Sequence, residues 1–541
     1  MENQKATGGI LKSKAYLYMT EFFSGLAVMA VELAASRLMA PYFSSSQIVY
    51  TIIIGTVMIA MALGNIYGGK SADRNPDPAV LYRRMLIAGA WIAAIPFLGR
   101  YVILGISAAL VFTVSSNFLI IAAFASCMIV FVFPLFLLGT VTPSLVRYIM
   151  ENAEESGEIV GRLGAFNTVG SIIGTFLPTF VTIPTVGTAA TFIMSAAILI
   201  ILAAAYFISI RKLPKSVIAA IIIFLLCSIF GIKASFAFWD KGLTYEGESV
   251  YNYLQVKEDD RQIVLSTNVL FGVQSIKMKS DGLTGMYYDY AMAAPVIAEE
   301  AKGGGKLDIL ILGNGTGTFA TQCARSFPDC RIDAVEIDGK ISDLAYEYFD
   351  LDSSVELYEY DGRAFLQAID RTYDVILVDA YQDITIPFQM SSFEFFTLVK
   401  EHLNPEGIMV VNMNMHSDGE GAINEYLSDT ILTVFDSVYT ADVFLNSNRE
   451  LFAMNGSDPG GLLDSAVEKL EDPELQRLMR TVSARFEKCE STGRGYLLTD
   501  DKAPVEVLGM SMIDSLISEE MAYYKDVYAE QGIDGVMALL G

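Results

Sequence analysis

The chain has 541 residues, a formal net charge of −25, 53% hydrophobic residues and five cysteines. That length leaves room for two or three domains, each able to bury a core. The acidity argues against nucleic acid or anionic lipid as partner of the soluble part and admits a cationic substrate, although a solvated acidic surface is an equally good account. The cysteines, Cys127, Cys227, Cys323, Cys330 and Cys489, have neither the density of a disulfide scaffold nor metal-ligand spacing, so no metal is expected.

Charge divides the chain sharply. Residues 1–236 hold 15 Lys/Arg against 9 Asp/Glu, and the remainder hold 22 against 53. The first part contains seven apolar stretches near 16–42, 48–68, 84–106, 117–141, 164–183, 187–209 and 216–236, each close to the roughly 20 residues that cross a bilayer. The first stretch is long and is followed at once by others, so it is expected to remain as a span, not to be cleaved as a signal peptide. Lys5, Lys12, Lys14, Lys70, Arg74, Arg83, Arg84, Arg147, Arg162, Arg211, Lys212 and Lys215 fall in alternate connections. This bias puts the N-terminus in the cytoplasm of a multi-pass protein of the cell membrane. With seven spans the second half then lies outside, whereas supply of a nucleoside cofactor favours the inside; the sequence leaves that side open.

Within the first span, Glu32 and Arg37 are ionisable groups five residues apart, each expected to pair with another helix. Gly170 and Gly174 make a small-xxx-small pair suited to close helix packing. Gly69–Arg74 has the look of a loop in major-facilitator transporters, a short and weak pattern.

Past residue 237 the periodicity changes. Short strands are expected at 253–256, 262–265 and 273–276, then apolar strands alternating with amphipathic helices at 308–312, 331–336, 355–358, 375–379 and 408–412. That alternation is the pattern of a parallel sheet wound with helices. A hairpin at 436–444 and 450–455 suits a methyltransferase-type sheet better than a dehydrogenase one. The expected fold is an α-helical membrane bundle followed by an α/β methyltransferase-like (Rossmann-type) domain with a small N-terminal β-element. Its divisions are 1–236, 237–300, 301–456 and a helical extension over 457–541.

The chemistry concentrates at strand ends. Leu312 is followed by Gly313-x-Gly315-x-Gly317, with Thr318 where a dinucleotide fingerprint has its third glycine. Glu336 ends the second strand, where an acid can accept both ribose hydroxyls of a nucleoside. Asp361-Gly362 follows the third strand, either as an adenine-facing acid or as an ordinary turn. Asp379 ends the fourth at the carboxyl edge, where open α/β sheets bind their ligands, and is the candidate acid–base residue; a helix N-cap is the plainer role for it.

These residues resemble the spermidine synthase (polyamine aminopropyltransferase) family, in its membrane-fused branch. The resemblance runs through Tyr253–Val256, Gln274-Ser275, Leu283–Tyr290, the glycine turn, Glu336–Asp338, Val378–Ala380, Ile386–Phe388 and Leu498–Glu506, and in the first half through Glu32–Tyr42, Gly64–Arg74 and Gly161–Gly174. It implies transfer of an aminopropyl group from decarboxylated S-adenosylmethionine to a polyamine nitrogen without a metal. It also implies Gln255 near the cofactor, Glu336 on the ribose, Asp361 toward adenine and Asp379 as acid–base residue. Thr316 stands where the family has an Asp that steers the aminopropyl amine. Tyr287-Tyr288-Asp289 replaces Tyr-His-Glu or Tyr-Gln-Glu, and Ala380-Tyr381-Gln382-Asp383 follows Asp379 in place of an Asp-Pro pair. Tyr287, Asp289, Asp383, Asp500 and Asp501 are the candidate residues for the cationic amine. The implied partners are that amine and the lipid bilayer, with no nucleic acid; a homodimer is left open. Two other functions remain: a methyltransferase using intact S-adenosylmethionine, and a non-catalytic polyamine transporter or sensor.

Overall fold

The structure, a computed structural model, describes residues 13–111, 114, 117–150, 156–211, 214–233, 235–240, 242–269, 272–280, 282–380, 386–414, 419–444, 447–512, 522–523, 525–527 and 529–532. The chain forms two compact units. One comprises residues up to 240 with 247–253 and the described part of 518–541; the other comprises 241–246 and 254–517.

The first unit is helical: α1 (Lys14–Phe43), α2 (Gln47–Arg74), α3 (Pro78–Val111), α4 (Phe118–Val130), α5 (Val132–Gly139), α6 (Val141–Ile149), α7 (Ser156–Leu177), α8 (Ile183–Ser209) and α9 (Lys215–Gly231). A π-helical turn, Pro178–Thr182, joins α7 to α8. Among the described residues, five stretches are long and apolar enough to cross a membrane: Lys14–Phe43, Gln47–Arg74, Pro78–Leu110, Val132–Ile149 and Gly157–Ser209. Seven were expected, and the difference has local causes. The 53-residue stretch Gly157–Ser209 holds two expected spans, interrupted by a kink where Gly187 takes φ 84°. The expected stretch 216–236 corresponds to α9, of only 17 residues. Stretch 117–141 is divided among α4, α5 and α6.

Met58, Phe180, Ile201 and Ile229 on these helices are 65–67% exposed, an outer surface suited to hydrocarbon and ill suited to water. A Cβ on Gly170 or Gly174 would meet the backbone of Phe22 or Leu26, so α1 and α7 approach as closely as a small-xxx-small pair permits. Glu21 ties three helices, accepting from Thr142 Oγ1 at 2.6 Å and Asn167 Nδ2 at 2.8 Å. Glu32 is buried, and Arg37 donates to the Val250 carbonyl of the same unit.

The second unit contains a four-stranded sheet, β1 (Leu243–Glu248), β2 (Tyr253–Glu258), β3 (Gln262–Ser266) and β4 (Ser275–Met278), in that order. Helices α10 (Tyr287–Ala291) and α11 (Ala293–Lys302) follow. Next come β5 (Asp308–Leu312), α12 (Thr318–Ser326), β6 (Arg331–Glu336), α13 (Gly339–Tyr348), β7 (Val355–Glu359), α14 (Gly362–Ala368) and β8 (Tyr373–Val378). The unit closes with α15 (Phe393–Glu401), β9 (Leu403–Met413), α16 (Ile423–Leu432), β10 (Ser437–Asp442), β11 (Arg449–Met454), α17 (Pro459–Val467), α18 (Pro473–Ser483) and β12 (Phe486–Lys488). The large sheet has the order β12-β10-β11-β9-β8-β5-β6-β7, parallel from β9 to β7 and antiparallel on the β10–β12 side. This is a Rossmann-type fold with a mixed sheet, as the strand alternation and the expected hairpin at 436–455 implied.

Every residue of β8 is buried, which explains its unbroken apolar run: helices cover both faces of a central parallel strand. Asn404–Gly407 forms a bulge within β9, so the fifth strand starts earlier than the expected 408–412, with Tyr373 paired to Leu403 and Val375 already to Ile408. β12 was not expected from the sequence at all; three residues from the polar extension pair with β10.

Candidate active site

The site forms where β5, β6, β8 and β9 end together. Leu312, Val335, Val378 and Val411 are consecutive register partners or neighbours across these strands. The residue after each therefore emerges at one edge: Gly313, Glu336, Asp379 and Asn412. Sheet register, not proximity in sequence, assembles the group.

The glycine turn touches both acids. Gly313 takes φ 92°, and a Cβ there would run into the carbonyl of Asp379; only glycine lets the two segments approach this closely. The Gly313 and Asn314 amides donate to the Val335 carbonyl at 2.9 and 3.0 Å, while the Asp379 amide donates to Leu312 at 2.9 Å. Gly315 donates to Glu336 Oε2 at 2.8 Å, and the other oxygen of Glu336 accepts from the Asp338 amide at 3.0 Å. Ser275, at the start of β4, braces the turn from below by accepting from the Thr316 amide at 3.0 Å. Gly317, the third glycine of the turn, takes φ 87° just before α12.

Asp379 is held from two sides. Tyr287 on α10 donates its hydroxyl to Oδ2 at 2.7 Å, and Asn412 Nδ2 donates to Oδ1 at 2.8 Å. Asn412 is itself oriented by Asn448, which donates to its Oδ1 at 2.9 Å. Burial pushes the Asp379 carboxyl up to about 7, against the lowering effect of the Asn412 and Tyr287 hydrogen bonds. Glu336 is likewise pushed up to about 7 by burial, moderated by the Asp338 and Gly315 amides. Two carboxyls poised to change charge near neutrality suit an edge that handles protons and a cationic ligand.

The other expected residues fall in different surroundings. Gln255 is buried in β2 and donates to the Asn268 carbonyl at 2.6 Å. Asp361 caps α14, accepting from the Ala364 amide at 2.8 Å, and Gly362 begins that helix. Asp289 is buried and tied into its own loop, accepting from Thr284 Oγ1 at 2.8 Å, the Gly285 amide at 2.7 Å and Gln322 on α12 at 2.7 Å. Asp500 forms a two-pronged pair with Arg363, at 2.7 and 2.6 Å, and accepts from Ser392 at 2.6 Å. Arg363 holds the Asp500 carboxyl below its usual range. Asp501 is exposed beside it. Asp383 lies outside the described residues. Thr316 is buried, and its hydroxyl has no hydrogen-bond partner among the described residues. A cavity of about 210 Å³ adjoins the turn on that side, reaching Thr316, Gly317 and Gln322 but neither Asp379 nor Glu336.

Sequence reading missed Asn412, Asn448 and Glu450. Asn412 had a signal, as the polar residue closing the apolar strand Ile408–Val411. Glu450 had one too: with Phe452 and Met454 it lies on one face of β11, so an acid interrupts an otherwise apolar stripe. Among the described residues, no group of three or more His, Cys, Asp or Glu stands together in a way that would hold a metal ion.

A spermine/spermidine synthase domain model matches residues 292–443. The chain is 51% identical over 347 residues to a protein named probable polyamine aminopropyl transferase from Bifidobacterium longum (strain NCC 2705), covering 61% of this chain and 77% of that one. A polyamine aminopropyltransferase of Vibrio vulnificus (strain CMCP6) is 28% identical over 210 residues, covering 37% of this chain and 69% of that one. The crystal structure of a probable spermidine synthase from Corynebacterium glutamicum ATCC 13032 aligns with a TM-score of 0.37 and 19% identity, over 47% of this chain and 94% of the other. By the identity and coverage of the Bifidobacterium relative, the chain is a transferase and belongs to the spermine/spermidine synthase family.

Proposed function

We propose that this chain is a membrane-anchored aminopropyltransferase that uses decarboxylated S-adenosylmethionine as donor and a small cationic amine as acceptor. The observation that carries the reading is Asp379, clamped between Tyr287 and Asn412 directly beside the glycine turn, with its carboxyl titrating near neutrality. Glu336 would accept the ribose hydroxyls through lone pairs left beside its two backbone donors. Gly313 and Gly315 would leave room for the nucleoside against the backbone. Asp361 would face adenine with the oxygen not engaged by Ala364, Gly362 would flank it, and Gln255 would border the donor.

The acceptor arrives as an ammonium ion and gives one proton to the Asp379 carboxylate. Its lone pair then forms a C–N bond to the propyl carbon attached to the sulfonium. The C–S bond breaks with both electrons staying on sulfur, giving neutral methylthioadenosine, and the new secondary amine leaves as an ammonium ion. Asp379 supplies both proton acceptance and a negative charge beside two cationic reactants. Tyr287 and Asn412 keep its oxygens aimed.

The outward apolar faces of the first unit support an integral-membrane, multi-pass location. Charge bias supports a cytoplasmic N-terminus, which a reporter fused to either end checks. For the reaction, the purified full chain is incubated with an amine and with each sulfonium donor in turn, and the product is weighed by mass spectrometry. Gain of an aminopropyl unit from the decarboxylated donor is expected. Gain of a single methylene from the intact donor would replace this reading with a methyltransferase, and binding without product would replace it with a sensor or transporter.

A further inference from the structure

The first unit holds a carboxyl that its own helices leave half satisfied. Glu21 on α1 is 0% exposed. Its Oε1 accepts from both the Thr142 hydroxyl of α6 and the Asn167 amide of α7, while Oε2 has no hydrogen-bond partner among the described residues. No Asp, Glu, Lys, Arg, Tyr or Cys on α2 to α8, the helices packed against α1, interacts electrostatically with it among the described residues. Tyr82 of α3 shares a hydrogen bond with the neighbouring Thr20 instead, at 3.3 Å. Glu21 lies about 10 Å along the axis from Lys14, at the start of α1. The free oxygen is therefore inside an apolar span, where an ionisable group is costly unless it has a task.

A row of polar side chains leads away from it. Asn167, Ser171, Thr175 and Thr179 recur at every fourth residue of the helical segment from α7 into the π-turn, which puts them along one face. A Cβ on Gly25 of α1 would press on the Asn167 carbonyl and lie 3.0 Å from Ser171 Oγ, so that face looks onto α1 one turn beyond Glu21. At the end of the π-turn, Thr182 shares a buried hydrogen bond of 2.8 Å with Thr191 of α8, across the kink at Gly187. Asn167 to Thr182 spans about 22 Å, most of the roughly 30 Å of a hydrocarbon core. Interrupted helices beside a buried acid are how membrane carriers hold polar sites within the bilayer.

We propose that the first unit is a carrier for an alkylammonium ion and that Glu21 is its cation site. The carboxyl is ionised when the ammonium occupies Oε2 and protonated when the site is empty, so one proton leaves Oε2 for each ammonium that binds. The neighbours select this class of ligand. Thr142 and Asn167 present hydrogen-bond donors to the carboxyl, whereas an inorganic cation takes oxygen ligands on all sides. An alkylammonium brings its own N–H donors and has methylenes for the apolar walls. The proposal rests on the membrane reading of the first unit and not on the transfer chemistry of the second.

The test uses the full chain in phospholipid vesicles, where flotation of the protein with the lipid reports its insertion. Vesicles loaded with unlabelled 1,4-diaminobutane receive the labelled compound outside at equal pH on both sides, so trapping of a weak base adds nothing to the exchange. Exchange above that of protein-free vesicles is expected. Its half-saturating concentration should rise as pH falls from about 8 to about 5.5, a range in which an aliphatic amine stays protonated and only its competitor changes. Glu21→Gln keeps an acceptor for Thr142 and Asn167 and removes the charge, so it should insert and exchange at least about tenfold more slowly, the worth of one charge-assisted contact. If that variant fails to insert, the pH dependence of the wild type decides alone. Absence of exchange by the inserted wild type overturns the proposal, as do a half-saturation that ignores pH and a Glu21→Gln variant as fast as the wild type. Failure of the wild type to float overturns it too, by removing the membrane reading. Exchange that depends on Glu21 in a chain with no transfer activity upholds the carrier and removes the transferase reading.

Discussion

Asn412 donates its side-chain amide to Asp379 Oδ1 at 2.8 Å while its own carbonyl oxygen accepts from Asn448 at 2.9 Å. Hydrogen bonds at both ends fix which way the amide faces, so Asp379 always meets a donor and never a repelling oxygen. With Tyr287 on the other oxygen, the carboxylate is oriented before any ligand arrives.

Replacing the carboxylate with its neutral isostere removes the proton acceptor and keeps the shape. Asp379→Asn should lower kcat by at least about 100-fold, the low end of what a positioned base contributes. Methylthioadenosine affinity should remain within about twofold, because Glu336 and the glycine turn are untouched. Quenched-flow product analysis and calorimetry measure the two quantities. Turnover at the wild-type rate would remove Asp379 from the reaction.

The pH dependence has opposite signs for activity and for stability. Asp379 must be ionised to take a proton, so kcat/KM should climb with pH and level off above about 7. Asp379 and Glu336 both have folded-state values near 7, above their ordinary 3.8 and 4.5. Their contribution to stability is therefore fully present below the ordinary values and is lost as pH rises through about 7. Thermal unfolding of the ligand-free chain should show Tm falling across that window, with a shallower fall in Asp379→Asn. A Tm that rose through the same window would mean these carboxyls are not raised.

Glu336→Ala should weaken methylthioadenosine by at least about 1.5 kcal/mol, the worth of charged hydrogen bonds to the ribose. It should also loosen the turn, since Gly315 loses its 2.8 Å acceptor. Calorimetry with methylthioadenosine gives the first effect, and amide exchange at Gly315 the second. Unchanged affinity would place the ribose elsewhere.

What the sequence revealed and what it hid follow from where the information lies. Strands at 308–312, 331–336 and 375–379 were readable because each is a short, largely apolar run closed by a glycine or an acid, and Glu336 and Asp379 were readable as two of those endings. Asn412 and Glu450 join the site through pairing between β8, β9 and β11, and strand register is not written in any local window. The same blindness hides the partner of Asp500. It sits in a dense acidic motif, yet Arg363, 137 residues away in sequence, claims both of its oxygens. In the first unit, Gly187 was read as the start of a span when it is a kink within a longer helical stretch; a single glycine carries no sign of which it will be.

The Arg363–Asp500 pair makes a contrast that can be measured. Asp500 is exposed, and its partner Arg363 packs beside α15 through the Gln389 carbonyl at 2.9 Å. Asp500→Asn should leave the KM of the amine acceptor unchanged and lower stability by no more than about 1 kcal/mol, as for a solvent-exposed ion pair. Steady-state kinetics and urea unfolding check both. A rise in amine KM with no change in stability would return Asp500 to the substrate site.

Tyr287 offers the sharpest separation of orienting from binding. Its hydroxyl donates to Asp379 at 2.7 Å, and that bond, with the one from Asn412, holds the carboxyl down against burial. Tyr287→Phe keeps the ring and deletes the donor, so the Asp379 pKa should go up and the acid limb of the kcat/KM profile should move to higher pH. At neutral pH the loss should be about tenfold or more, the equivalent of one charge-assisted hydrogen bond, and it should shrink as pH is raised past the displaced limb. If Tyr287 instead served only to hold the amine, KM would rise by a constant factor at every pH and the limb would stay where it was. A full pH–rate profile of the variant decides between them, because a positioning residue that acts through Asp379 must reveal itself on the pH axis.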